Sequence, residues 1–389
     1  MSQPARLRLP VAIVATVAAL VSGVIVRAQI GVTPYKVNYN WDKLEGRKIG
    51  VASGIRTDPD GQHLWILDRC GANGCAESTL DPVIEVDMDG KFVRSFGKGV
   101  MNFPHGFFID REGFIWVTDG APNGDPRGEA GFKKHLGHQV YKFSHDGKLV
   151  MTLGEAGVPG ADDKHFNGPT GVVIAANGDI WITDGHGGPS VGPYKDNMYA
   201  SRGGNNRLVR FSKDGKFIKA WGGGVGSEGS LPLQFNDPHG IDIDSEGRLY
   251  IADRGNQRVQ VLDKEGNFIT RWTQFGKPSA ITIDTKGNIY VADGMSDDHW
   301  NPGWERGIRI GDIKTGWIKA FIPDEEATRG AGTEFLGVDA KGRIFSGASG
   351  RPGLVVHERR ALRSTGQSFR RSAWLNRKER LKIRRSAAN

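Results

Sequence analysis

Two stretches decide the fold: residues 106–113 (GFFIDREG) running into 115–119 (IWVTD), and residues 240–247 (GIDIDSEG) running into 249–253 (LYIAD). Each is an apolar strand, a tight turn ending in glycine, and a second strand with aromatic and β-branched residues that closes on Asp. Outward from these, the same pattern starts at Gly54, Gly171 and Ala280, and a degenerate sixth copy, 336–342 (LGVDAKG), leads to Ile344. After each second strand come two more, as in 140–143, a turn at 145–147, and 149–153. Short strands in fours, Asp-Gly or Glu-Gly turns and no sustained helical period predict six small antiparallel sheets. No such sheet buries two faces alone, so the expected fold is all-β, a six-bladed β-propeller over residues 35–358. The sixth unit runs out after a third strand near 354–357, and residues 35–39 are the candidate for the outer strand that closes the ring. A ring closed by both ends has no free edge, and a monomer is expected.

Glycine makes up 56 of 389 residues and is spread through the chain, as many tight turns require. The first 28 residues place Arg6 and Arg8 ahead of an uncharged apolar stretch from Leu9 to Val26, followed by a small residue at Ala28. That order predicts a cleaved signal peptide over 1–28. The alternative is an uncleaved membrane anchor, since the stretch approaches the roughly 18 residues of a spanning helix. Either way the body is exported, to the periplasm or outside the cell. In such an oxidising compartment Cys70 and Cys75, the only cysteines, are able to close a small disulfide loop. Two thiols alone make a poor metal site.

The net charge of +8 is concentrated at one end. Residues 359–389 hold eleven Lys or Arg and one acid, Glu379, so this tail carries +10 and everything before it sums to −2. The propeller is not basic, and no nucleic-acid partner is expected for it. The tail reads as disordered, with a basic helix over 374–385 on an anionic membrane or nucleic acid as the alternative.

In a four-stranded blade the first-to-second and third-to-fourth turns share one face of the disc. The long irregular segments 69–81, 120–137, 185–205 and 294–307 all follow a second strand, so they crowd the opposite face, where function is expected. The residue eight before each first turn glycine stands on that face and points to the axis. In blades one to six it is Ser53, His105, Thr170, His239, Ser279 and Glu334. His105, His239 and Glu334 thus alternate around the ring with small hydroxyls. Two histidines and a glutamate make a zinc ligand set that leaves a fourth position open. The alternative is that the two Pro-His-Gly turns carry imidazoles that merely bond backbone. One residue after the terminal Asp of the second strand, Arg69 and Arg254 face each other from blades one and four. Guanidinium groups there would bind a substrate carboxylate bidentately; the alternative is an Arg paired with a neighbouring Asp. Asp119, Asp184, Asp253 and Asp293 recur too regularly for catalysis and are expected to cap hydrogen bonds between blades.

From about Leu64 to Val261 the chain resembles a family of NHL-repeat propellers, the peptidyl-α-hydroxyglycine α-amidating lyases, which form the lyase domain of peptidylglycine α-amidating enzymes. The similarity is carried by 103–106 (FPHG) with 116–119 (WVTD) and 138–140 (HQV); by His165-Phe166, Pro169-Thr170, Asp184-Gly185, Asn206-Arg207 and 215–217 (GKF); and by Gln234-Phe235, Pro238-His239, 252–254 (ADR), Asn256 and Arg258. The resemblance implies zinc held by three histidines, two matching His105 and His239, with arginines matching Arg69 and Arg254 at the substrate site. It implies a reaction that splits a carbinolamide into an amide and glyoxylate, with zinc acidifying the substrate hydroxyl. Three positions depart from the family: the third histidine is Glu334, the tyrosine near the reacting hydroxyl is His186, and the aspartate that helps hold calcium is Phe335. The last argues against calcium. Glu334 is still able to bind zinc and His186 to act as base, while Tyr194 and Tyr199 are candidates to replace the missing phenol. The expectation is an exported zinc-dependent carbon–nitrogen lyase for a small carboxylate-bearing or peptide substrate. Its hydroxyl would sit on zinc at His105, His239 and Glu334, its carboxylate on Arg69 or Arg254, and its proton would pass to His186. The rival is a non-enzymatic propeller binding a peptide, glycan or protein partner through the long-loop face.

Overall fold

A computed structural model describes residues 34–120, 133–186, 204–223, 229–297, 301–324 and 332–360. Its strands form six four-stranded antiparallel sheets. Blade one runs from axis to rim as Ala52–Thr57, His63–Asp68, Val83–Asp87 and Phe92–Phe96, and the next four blades repeat that order. The innermost strands begin at Ala52, Pro104, Pro169, Pro238, Ile281 and Thr333; each touches the next, and the last touches the first. The fold is therefore the expected six-bladed propeller.

Closure follows the predicted route. Tyr35–Asn38 is the outer strand of blade six and pairs antiparallel with Arg351–Arg359, which runs one residue into the segment read as tail. The expected signal peptide, residues 361–389 of the basic tail, and Tyr194 and Tyr199 lie outside the described residues. Among the described residues no helix is long and apolar enough to cross a membrane.

Aromatic side chains explain why the sheets pack radially. Three residues before the end of each second strand stands a buried ring: Trp65, Trp116, Trp181, Tyr250, Tyr290 or Phe345. Such a ring fills the wedge between neighbouring blades, and the core is accordingly a set of interblade clusters. Trp65 and Leu67 of blade one, for instance, pack on Phe107, Val117 and Tyr141 of blade two. The polar tips are anchored as well. The Trp65 and Trp116 indoles donate to Asp58 and Asp110, and the Tyr250 and Tyr290 hydroxyls to Asp244 and Asp284; a buried donor left unpaired would cost about 1–3 kcal/mol.

At the far end of these strands the recurring Asp residues tie each blade to the one before it. Asp119 accepts the Asn102 and Phe103 N–H groups, Asp184 that of Asn167 and Asp253 that of Asn236, all in segments arriving from the preceding blade. Asp293 differs, accepting from Met295 and Ser296 in its own following loop.

Candidate functional site

The inner strands of blades one to four and six open with a β-bulge, where pairing slips between Ala52 and Gly54, Pro104 and Phe107, Pro169 and Gly171, Pro238 and Ile241, and Thr333 and Phe335. A bulge re-aims a side chain. The residues it carries here are Ser53, His105, Thr170, His239 and Glu334, the positions counted from the turn glycines. Several reach across to the next blade: Ser53 Oγ donates to Pro104 O at 2.8 Å, His105 Nδ1 to Thr170 O at 2.8 Å, Thr170 Oγ1 to Pro238 O at 2.7 Å and His239 Nδ1 to Ser279 O at 2.9 Å. The approach is close: a Cβ on Gly106 would stand 2.6 Å from Thr170 O, and one on Gly240 2.6 Å from Ser279 O.

Those histidine contacts fix the tautomers. A carbonyl only accepts, so in both rings Nδ1 carries the proton and Nε2 presents a lone pair. Both Nε2 atoms are buried without a hydrogen-bond partner, and the two ring centroids stand 4.5 Å apart. The imidazoles do bond backbone, as the bland alternative had it, but with one nitrogen only.

A third imidazole joins them. His186, two residues beyond Asp184, is fixed by its N–H on Gly168 O at 2.8 Å, and its ring centroid lies 4.8 Å from that of His105 and 5.7 Å from that of His239. Its Nδ1 is buried and unpartnered too. One ligand atom from each of His105, His186 and His239 fits within 4.8 Å of the others. All three rings are held neutral. Burial, then the neighbouring rings and Arg69, puts His105 well below its ordinary range; burial and then Arg254 lower His239, and push His186 down to about 3. Neutral buried imidazoles with unused lone pairs are a donor set that suits zinc.

Glu334, the third expected ligand, stands beside this group. Its Oε1 accepts from Arg254 Nη1 at 3.1 Å and lies 3.3 Å from His239 Nε2 without hydrogen-bond geometry, while Oε2 has no partner. Burial raises its pKa, but the Arg254 and Arg69 guanidiniums beside it hold the carboxyl well below the usual range. Arg254 places Nε and Nη2 on the two oxygens of Asp237, at 2.7 and 3.1 Å, which is the Arg–Asp pairing weighed as the alternative to substrate binding. Arg69 lies across the mouth, stacked 3.6 Å from the Phe103 ring centroid, with Nε on Pro104 O and Nη1 on Asn73. The loop that begins there is closed by a Cys70–Cys75 disulfide. Phe335 walls the site, 5.4 Å from the His105 ring. Beneath the imidazoles the channel keeps a cavity of about 50 Å³, lined among others by Ser53, Thr170 and Ser279. That is room for a few waters, so any substrate is held at the mouth.

Two partners at the mouth were not foreseen. Asp237 pairs with an arginine 17 residues away through no spacing rule, although a carboxylate just ahead of Pro238-His239 was a signal available in the sequence. Lys277 is buried there too, and burial lowers its pKa to about 8.

Residues 235–262 match the NHL repeat model. An NHL repeat therefore lies within the fourth blade of this propeller. Among curated proteins the chain is 34% identical over 244 residues to human NHL repeat-containing protein 3, covering 61% of this chain and 59% of that one. It is 31% identical over 243 residues to peptidyl-glycine alpha-amidating monooxygenase A of Xenopus laevis, covering 57% and 22%, and 29% identical over 230 residues to a probable peptidyl-alpha-hydroxyglycine alpha-amidating lyase of Caenorhabditis elegans, covering 55% and 56%. The chain thus matches less than two thirds of each relative's length. A gluconolactonase from Xanthomonas campestris superposes with a TM-score of 0.53 at 16% identity, over 83% of this chain and 89% of that one, a likeness of fold alone. The likeness to amidating lyases thus stands at about 30% identity over part of each chain.

Proposed function

We propose that this NHL propeller is an exported, zinc-dependent lyase that cleaves a carboxylate-bearing carbinolamide into an amide and glyoxylate. The observation that carries the reading is the pair His105 and His239, whose Nδ1 protons are committed to the next blade and whose buried Nε2 lone pairs have no other use. Zinc, when bound, would acidify a hydroxyl presented to it.

The chain supplies the rest. The substrate carboxylate is assigned to the guanidiniums at the mouth, Arg69, stacked on Phe103, and Arg254, which Asp237 holds bidentately. His186 and Glu334 are the two groups placed to take the hydroxyl proton. As that proton leaves, the oxygen forms the aldehyde carbonyl, the C–N bond breaks, and the departing amide nitrogen takes up a proton. The Cys70–Cys75 disulfide suits an oxidising, exported setting.

The test is to incubate the purified chain with an α-hydroxyglycine peptide, assay glyoxylate and amidated peptide together, and measure zinc by elemental analysis. Equal release of both products from zinc-loaded protein supports the reading. Zinc without turnover points to another hydroxy acid. Protein with neither favours the non-enzymatic propeller, a reading supported by the likeness to NHL repeat-containing protein 3, whose name carries no reaction.

A further inference from the structure

We infer that His186, rather than Glu334, completes the metal ligand set with His105 and His239, giving a three-imidazole site that draws on blades two, three and four. The inference rests on the metal reading above; it moves His186 from base to ligand and leaves Glu334 as the group that takes the hydroxyl proton.

Three observations carry it. The first is placement: one nitrogen from each of the three rings lies within 4.8 Å of the other two. Ligands about 2.1 Å from one tetrahedral ion stand roughly 3.4 Å apart, a contraction within reach of small side-chain rotations. The second is satisfaction. His105 Nε2, His239 Nε2 and His186 Nδ1 are all buried with no hydrogen-bond partner. Such atoms are costly to leave unused, and three orphaned nitrogens in one cluster are a pattern a shared ion resolves. The third is the commitment of Glu334. Its Oε1 holds Arg254 Nη1 at 3.1 Å, and the other contacts of that guanidinium run to Asp237. Drawing Glu334 Oε1 onto the ion would strip a buried cation of one partner, at a cost that buried charge pairs impose whenever one side is removed, which leaves Oε2 as its one available donor. Glu334 stays where it is, an anchored carboxylate beside the metal.

His186 was hidden from register counting because it does not lie on an inner strand. It follows the second strand of blade three, where the N–H groups of Gly185 and His186 both donate to Gly168 O and hold it beside the other two rings.

Cobalt replaces zinc as the probe, since its spectrum reports the ligands directly. The full chain is stripped with chelator, reloaded with Co(II), and compared with His186→Cys, His186→Ala and Glu334→Gln. His186→Cys is expected to show a thiolate-to-cobalt charge-transfer band in the near ultraviolet that wild type lacks. His186→Ala is expected to lose more affinity than the roughly 10- to 100-fold that removing an outer hydrogen-bond partner costs, and Glu334→Gln to remain within that range. Circular dichroism of each metal-free variant confirms that it is folded. A folded His186→Cys that binds cobalt without the thiolate band overturns the assignment, as does a Glu334→Gln variant that loses the metal while His186→Ala keeps it. A wild-type chain that takes up no metal overturns the metal reading itself.

Discussion

His138 has a left-handed backbone, with φ at 59°, and a buried ring whose Nδ1 accepts the Gly168 N–H at 3.2 Å. Only a neutral ring accepts there, and burial lowers its pKa to about 4. An unfolded histidine takes its proton near pH 6.5. Stability from the neutral ring is therefore complete above that value and is lost as pH falls toward 4, because the unfolded chain then binds a proton that the folded one refuses. The shift is worth on the order of 3 kcal/mol. His138→Asn keeps a residue that tolerates positive φ. In urea unfolding, the stability gap between wild type and this variant should be widest at pH 7 and narrow by pH 4.5; a constant gap would sink the argument. Single residues also mark where sequence reading succeeds. His105 and His239 were legible because turn glycines give an origin to count from, and a count of eight lands on the bulge. His186 was named but not as a neighbour of those rings, and the Asp237 hold on Arg254 was open between two readings, because both depend on how loops fold back over the axis.

At the scale of the element, the closing strand was legible for the opposite reason: a period of four makes a missing member visible. Tyr35–Asn38 supplies it, and Tyr35 has 1% of its surface exposed, packed with Tyr290, Ile308 and Leu336 while its hydroxyl accepts from Arg359 Nε at 3.3 Å. Removing a buried aromatic ring costs about 3–5 kcal/mol, and removing only a hydroxyl about 1 kcal/mol. Tyr35→Ala should therefore melt well below Tyr35→Phe by scanning fluorimetry. It should also gain a concentration-dependent oligomer in size-exclusion chromatography, since a loosened closing strand uncovers the edge of Arg351–Arg359. Equal melting of the two variants would mean the strand closes the ring by backbone pairing alone. The bulges, by contrast, left no mark in the pattern of apolar residues. They appear only as the mismatch between Pro104 pairing with Asp119 and Phe107 pairing with Val117.

For the whole molecule, the interblade clusters make the ring stable without help from the axis, whereas the imidazole group gathers side chains from three consecutive blades at one point. A metal bound there would meet the closed ring and not the unfolded chain, so it would add RT ln(1 + [metal]/Kd), about 4 kcal/mol at a thousandfold excess over Kd. In a domain of about 320 residues each kcal/mol moves the melting temperature by about 1.5 °C, and the expected gain is roughly 6 °C. Treating the purified chain with chelator should lower Tm by that order while leaving its β-sheet circular dichroism in place, because the wedges of Trp65, Trp116 and Trp181 do not depend on the ion. Zinc should restore the lost stability and magnesium should not, since imidazole donors suit the first and oxygen donors the second. An unchanged Tm through stripping and reloading would show that the three lone pairs at the mouth hold no metal, and the axis would then have to be explained as a binding surface.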